Sequence, residues 1–453
     1  MHMSDRAIEA PEAAGFASPP GEHLSPLALA RRRMTQAGLW NSAQHLGRRF
    51  AIGCVALEIT QRCNLDCTLC YLSESSEALK DIPLEELHRR LEMIRAQYGP
   101  GTDVQITGGE PTLRRREELL AIVGRAKALG LRPALFTNGI LATRDLLADL
   151  CAAGLVDVAF HVDMSQQRGA YVSESGLNAL RAEYIERARD LPLAVYFNTT
   201  VFDANFEELP SLVRFFIANA DRVSLASFQL QADTGRGVLG ARGHEINPGS
   251  VAAQIRLGAA ASVDFDAYDI GHRACNRYAM TLVANGCVHD LLDDHVYVRK
   301  VLDATAQIAI PRGNARAAVV AVLRGLLRRP RILAAGGAWL LRKLWRMRRD
   351  LLAARGRVHK LSFFIHNFMD AKSLEQDRVD ACSFMVATAA GPVSMCRHNA
   401  NRDDYLLTPI RVARVGWWDP LSGAMSDAPR PKTPVQLTRK TARGKARLRG
   451  QVG

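Results

Sequence analysis

Cys63-Asn64-Leu65-Asp66-Cys67-Thr68-Leu69-Cys70 decides how this chain reads. Three thiols fall within eight residues, spaced C-x3-C-x2-C, directly after the apolar-alternating run Val55–Thr60. A loop that short turns three thiolates toward one point, which suits a [4Fe–4S] cube better than a four-ligand zinc site. Three ligands for four irons leave one iron open to something that is not protein. A zinc knuckle is the rival reading.

Outward from that loop the chain alternates short β-rich runs with amphipathic segments. Strands are expected at Val55–Thr60, Val104–Thr107, Pro133–Phe136, Val156–His161, Leu193–Asn198 and Val223–Phe228. Helices are expected between them, from Pro83–Tyr98 to Phe206–Asn219. Strand-then-helix repeats imply a parallel sheet with right-handed crossovers. The expected fold is therefore α/β: a partial (β/α)6 TIM-like barrel, with function at the strands' C-terminal ends. The cysteine loop follows the first strand, where that rule places it. Thr107-Gly108-Gly109-Glu110-Pro111 follows the second strand, its glycines able to approach a ligand and its carboxylate able to accept from an ammonium. Phe136-Thr137-Asn138-Gly139 follows the third. His161 and Asp163 end the fourth, and Asn198 ends the fifth. The bland reading of such strand-end residues is that they cap the following helices.

With these motifs in this order, the chain resembles the radical S-adenosylmethionine (SAM) superfamily. The resemblance implies that Cys63, Cys67 and Cys70 hold a [4Fe–4S] cluster whose open iron takes SAM's amino and carboxylate groups. It implies that Gly108, Gly109 and Glu110 orient SAM, with Asn138, Asn198 or Asp163 near its ribose and carboxylate. An electron donor such as flavodoxin or ferredoxin is implied too. A 5′-deoxyadenosyl radical then removes hydrogen from an unactivated C–H bond, with His161 and Asp163 as candidate catalytic residues.

Cys275, Cys287, Cys382 and Cys396 lie beyond the barrel, on two expected hairpins turning at Asn285-Gly286 and Gly391. Four thiols suit a second [4Fe–4S] cluster or tetrahedral zinc. If Cys287 is not a ligand, one iron is open. The arrangement resembles the auxiliary-cluster modules called SPASM or twitch. The string Phe363-Phe364-Ile365-His366-Asn367-Phe368-Met369-Asp370 is similar to one in the superfamily branch containing tetraether lipid synthases. That resemblance makes His366 and Asn367 candidates for the substrate channel, with a packed loop as the alternative. Cys54 and Cys151 read as buried thiols.

Apolar content of 48% describes a globular chain. Its net charge of +13 is uneven. Arg312–Lys360 carries fourteen basic residues against the single acid Asp350, and Arg430–Gly453 carries eight against none. The remainder is net acidic, so the basic segments read as docking surfaces rather than as parts of a wholly basic nucleic-acid binder. Helical patterning at Ala317–Leu327 and Arg331–Leu352 combines leucines, two tryptophans and arginines, as an interfacial membrane helix does. A helical hairpin packed on the barrel with a solvated basic face, and a phosphate-binding helix, are the alternatives.

The expected organisation is a lead-in over 1–50, the barrel over 51–235 and an auxiliary-cluster region over 236–311 and 361–410. A basic helical insertion occupies 312–360, and a disordered tail 411–453. No apolar signal segment or long apolar span is readable, so the expected location is cytoplasmic, with peripheral contact at an anionic membrane face. The expected substrate is a membrane lipid or isoprenoid-type hydrophobe. A ribosomal peptide or a small pterin-like metabolite is the alternative, and the short segment ahead of Val55 argues against a peptide-recognition domain. A non-enzymatic scaffold or nucleic-acid-binding regulator is a third class; it leaves Gly108–Pro111 unexplained.

Overall fold

The computed structural model describes residues 54–431 except 239, 241–242, 268–269, 305–314, 328 and 413–414, together with 434–436 and 438. The lead-in expected over 1–50 and the tail beyond 438 lie outside the described residues.

Six strand–helix repeats follow one another: β1 (Cys54–Thr60), α1 (Leu84–Tyr98), β2 (Asp103–Gly108), α2 (Arg116–Ala128), β3 (Arg132–Thr137), α3 (Arg144–Ala153), β4 (Asp157–His161), α4 (Asn178–Arg187), β5 (Ala194–Val201), α5 (Leu209–Ala218) and β6 (Val223–Leu230). Neighbours β1 to β6 pair parallel and in order. Covered on both faces, such strands read as nearly continuous apolar runs, and β1 is buried along its whole length. Leu87, Leu91, Ile94 and Tyr98 recur at helical spacing on α1 and are fully buried.

After α6 (Pro248–Ala259), β7 (Asn276–Ala284) and β8 (Cys287–Asp290) form a hairpin. Its two-residue turn is Asn285-Gly286, both at positive φ, the geometry a type I′ turn demands. Helices α7 (His295–Ala304), α8 (Ala315–Leu326) and α9 (Pro330–Ala353) follow. Then come β9 (His359–Asn367), β10 (Phe384–Thr388) and β11 (Gly391–Ser394).

The sheet exceeds the six strands expected. Its order is β11-β10-β1-β2-β3-β4-β5-β6-β9-β7-β8, with β9 parallel to β6 and β10 parallel to β1. Eight parallel strands therefore stand side by side. The flanking strands β9 and β10 also approach each other through side chains, with the Phe364 and Phe384 rings 5.9 Å apart. The tail expected to be disordered from 411 begins instead in a small sheet of β12 (Ile410–Val412), β13 (Gly416–Trp418) and β14 (Met425–Ser426). Ile410, Val412 and Trp418 are buried in the main core, enough apolar surface to order that stretch.

Candidate active site

The cysteine loop leaves the C-terminal end of β1 and is fixed from two sides. From beyond β4, the Ser165 carbonyl accepts from the Thr68 amide at 2.8 Å. From beyond β6, the strap Thr234–Val238 runs alongside: Arg236 N–H donates to Leu72 O at 2.7 Å, Gly237 N–H to Cys70 O at 2.8 Å, and Val238 N–H to Thr68 O at 2.5 Å. Gly235 makes this approach possible, because a Cβ there would sit 2.2 Å from the Tyr71 carbonyl oxygen.

Burial pushes the Cys63 thiol up to about 12 and Cys67 well above its ordinary value, with neighbouring Cys70 adding to both. The three thiols thus sense one another's charge. Among the described residues, however, no three His, Cys, Asp or Glu converge as ligands of a single metal ion. Arg236 lies beneath the loop, fully buried, 3.0 Å from Glu77 and 4.0 Å from Asp66. It draws both thiols back down, and its buried Nε has no hydrogen-bond acceptor. A buried guanidinium with an uncommitted N–H beside three thiols is what an anionic thiolate-ligated cluster needs for charge balance. The residues fit the group.

The glycines after β2 do something other than admit a ligand. Gly108 has φ +121°, and a Cβ would stand 2.1 Å from Thr60 O; at Gly109 a Cβ would stand 2.0 Å from Arg62 O. They let the β2 loop lie on the root of the cysteine loop, where Gly109 N–H donates to Thr60 O and Glu110 N–H to Arg62 O, both at 2.8 Å. Glu110 also has a structural task. Its buried carboxylate accepts from the Thr112 amide and hydroxyl and from Thr137 Oγ1 at 2.7 Å on Oε1, and from the Asn138 amide at 2.7 Å on Oε2. With one donor on Oε2, that oxygen keeps capacity for a further donor such as an ammonium. Glu110 is a brace joining the ends of β2 and β3. Asn138 reaches the cysteine loop itself, its Nδ2 donating to Asn64 Oδ1 at 2.6 Å.

His161 and Asp163 come together, with His161 Nε2 2.6 Å from Asp163 Oδ2. Asp163 has no exposed surface and also accepts from the Ser165 amide and hydroxyl and the Thr200 amide. Burial pushes its carboxyl up, but the His161 charge and these donors outweigh it and hold the group well below the ordinary carboxylate range. Enclosed and fully bonded, Asp163 cannot touch a ribose. His161, whose side chain stays 35% exposed, can meet a ligand. Asn198 is buried beside it across the β4–β5 pairing.

The second cysteine group is smaller than expected. Cys275 precedes β7, whereas Cys287 pairs with Ala284 at its far end. Nine strand residues at about 3.4 Å each separate the two by about 30 Å. Cys287 is exposed and lies against Asp350, so it cannot share a cluster with Cys275. The other three do gather: Cys382 is raised to about 12 by burial and then by Cys396 and Cys275, and Cys396 to about 11 by burial with Cys275 contributing. Arg378 Nε donates to Cys275 Sγ at 3.2 Å. Asn367 serves as a strut here, donating to the Ala274 and Cys275 carbonyls at 2.9 and 2.7 Å and accepting from Arg378 at 2.7 Å. His366 Nδ1 is 3.0 Å from Asn276 Oδ1 and its ring packs among Phe364, Phe368 and Phe384. Burial alone lowers that imidazole to about 3, so it is neutral at physiological pH.

Sequence reasoning passed over Arg378; Arg236 reads from sequence as a partner for a carboxylate or phosphate, or as a loop-closing residue, and it meets the Glu77 carboxylate. The Gly235-Arg236-Gly237 pattern was a usable signal, since small residues on both sides let an arginine's backbone approach another segment.

Residues 57–216 match the family model described as "Radical SAM superfamily". The 7,8-dihydro-6-hydroxymethylpterin dimethyltransferase of Methanocaldococcus jannaschii is 30% identical over 187 residues, covering 40% of this chain and 36% of that protein. The PqqA peptide cyclase of Bradyrhizobium diazoefficiens is 33% identical over 185 residues, covering 39% and 46%. The chain spans less than half the length of these curated relatives. Among solved structures, Streptococcus suis SuiB bound to precursor peptide SuiA is 17% identical with a TM-score of 0.33, covering 48% of each chain. Native anSMEcpe with bound AdoMet is 17% identical with a TM-score of 0.35, covering 44% of this chain and 58% of that one.

Proposed function

We propose, from the premise that this chain carries a radical SAM domain, that it is an enzyme that activates C–H bonds through SAM. Cys63, Cys67 and Cys70 would hold the [4Fe–4S] cluster. When bound, that group supplies the electron that splits SAM into methionine and a 5′-deoxyadenosyl radical, which takes hydrogen from the substrate. The observation that carries this reading is the strap-and-loop assembly: three thiols in one loop at the end of β1, fastened by Thr234–Val238 and backed by the buried Arg236.

The chain's own residues then divide the work. The strap keeps the loop in place, and Arg236 balances the charge of the thiolates. Glu110 and Asn138 brace the strand ends, and Glu110 Oε2, with one donor only, would also accept from SAM's ammonium beside Gly108 and Gly109. Asp163 fixes the ring of His161, which faces the open side. Cys275, Cys382 and Cys396 would hold a second cluster with one position that protein thiols do not fill.

For substrate we favour a peptide or a small pterin-like heterocycle, because the relatives named above carry those words. The membrane-lipid or isoprenoid expectation finds no support among them; it rests on the resemblance of the Phe363–Asp370 string and on the amphipathic helices α8 and α9. Anaerobic reconstitution with iron and sulfide, followed by a 5′-deoxyadenosine assay under dithionite, tests the chemistry. Supplying peptide, pterin or lipid extract then tests the class. A reconstituted protein that binds iron yet yields no 5′-deoxyadenosine would remove the proposal, and stimulation by lipid alone would reverse the substrate order.

A further inference from the structure

Helix α9 is amphipathic in the unusual sense. Its inward face mixes polar and apolar contacts: Lys343 is buried and reaches Asp293 at 2.5 Å, Asp350 lies 3.0 Å from His289, Met347 is buried, and Trp339 stacks on Tyr297 with centroids 5.5 Å apart. Arg342 and Arg346 at the flank pair with Asp294 and Asp293 at 3.0 and 2.9 Å. Its outward face is apolar instead, with Leu341 69%, Trp345 67% and Leu352 79% exposed. At 100° per residue these three and Leu344 share one arc, with Arg348 inside it and Arg349 at its edge. Helix α8 repeats the pattern, presenting exposed Val319, Val320 and Leu323 next to exposed Arg316 and Arg324.

An apolar face on a surface helix needs a cover, and the charges around it say which. Fourteen basic residues stand against one acid between Arg312 and Lys360, and that acid already faces His289. A second copy docked by two-fold symmetry would set arginine against arginine. Nucleic acid would satisfy the arginines but leave the leucines in water. A sheet of anionic headgroups over acyl chains satisfies both. Arg348, lying 4.1 Å from the Trp345 ring centroid, places cation and indole together, as residues at that boundary are placed.

We infer that α8 and α9 form a docking surface for the headgroup region of an anionic phospholipid bilayer. Among the described residues no helix is long and apolar enough to cross a membrane, so the contact is peripheral. The inference holds whichever substrate the enzyme takes, because it concerns these helices and not the barrel mouth.

Flotation of the full-length anaerobic protein tests it, using phosphatidylcholine vesicles with and without phosphatidylglycerol. The expected result is co-flotation with the anionic vesicles, weakening as salt rises. The exposed-site double variant Leu341→Glu/Trp345→Glu should bind at least about tenfold more weakly, as should Arg348→Glu/Arg349→Glu, with melting temperatures unchanged. Absence of flotation at low salt would overturn the inference. So would flotation indifferent to both variants, or a dimer in light scattering that the Leu341→Glu/Trp345→Glu variant dissolves. Binding to a DNA duplex without any to vesicles would overturn it as well.

Discussion

The two thiol groups are built in opposite ways. Cys63, Cys67 and Cys70 come from one short loop, whereas Cys275, Cys382 and Cys396 come from segments about a hundred residues apart. Each has a largely buried arginine at hand, Arg236 for the first and Arg378 for the second. The first is fastened by backbone, through the strap Thr234–Val238. The second depends on side chains at the seam where β9 meets β10. A site encoded in one loop survives changes elsewhere; a site assembled from two distant segments, Cys275 before β7 and Cys382 and Cys396 flanking the β10–β11 hairpin, shares the fate of both.

Substitution at the cysteines breaks this comparison most directly. Cys67→Ser should lower iron by about four per chain and abolish 5′-deoxyadenosine formation. Cys275→Ser should lower iron equally while SAM binding, read by equilibrium dialysis, persists. Equal loss of SAM binding in both variants would show the groups are not separate.

The arginines come next. Arg236→Gln leaves Glu77 unpaired beneath the loop and should cost about 3–5 kcal/mol of stability. Removing a cation from beside the thiolates should also move the first cluster's reduction potential downward, as followed by EPR titration, with the second cluster's signal in place. Arg378→Gln should do the reverse. A common shift would mean the two arginines act only through the fold.

Acid should loosen the link between the root of the cysteine loop and the segment that follows Cys396. Glu58 on β1 pairs with Arg402, six residues past Cys396, at 2.7 and 2.8 Å. Burial pushes the Glu58 carboxyl up, but Arg402 outweighs it and holds the group at about 2. A carboxylate depressed on folding stabilises fully above its unfolded value of about 4.5 and loses that contribution as pH falls toward 2. Thermal melts across that window should fall, and Glu58→Gln should flatten the dependence. An unchanged slope in that variant would point to other carboxylates, Asp163 first.

Much of this was legible because it is local. Strand and helix periods placed β1 to β4 within one residue at each end, while β5 and β6 run three and two residues further than expected, and the cysteine loop announced itself by spacing. What depends on distant pairing was not legible. The run Phe384–Thr388 reads as half of a hairpin, yet its parallel register with β1 fixes where Cys382 goes. Cys275 and Cys287 look like partners in sequence because a hairpin joins them. An extended strand holds them apart, since β7 puts its length between the two thiols. Glu110 sits where a SAM-binding carboxylate was expected, but its second task, joining the ends of β2 and β3 through Thr137 and Asn138, depends on strand pairing and was not legible. The smallest effect follows from this: Cys287→Ser should leave iron content unchanged and stability within about 0.5 kcal/mol.

The strap has a consequence in time. Ser165 can hold one side of the loop once β4 has been made. The carbonyls of Thr68, Cys70 and Leu72 find their partners only in a segment made after β6, so on the ribosome the second side stays unfastened until all six strands have emerged. Metal delivered earlier would meet loose thiols open to oxidation and to the wrong ion. Maturation of this protein therefore has an order written into its topology: translation of the barrel first, iron afterwards.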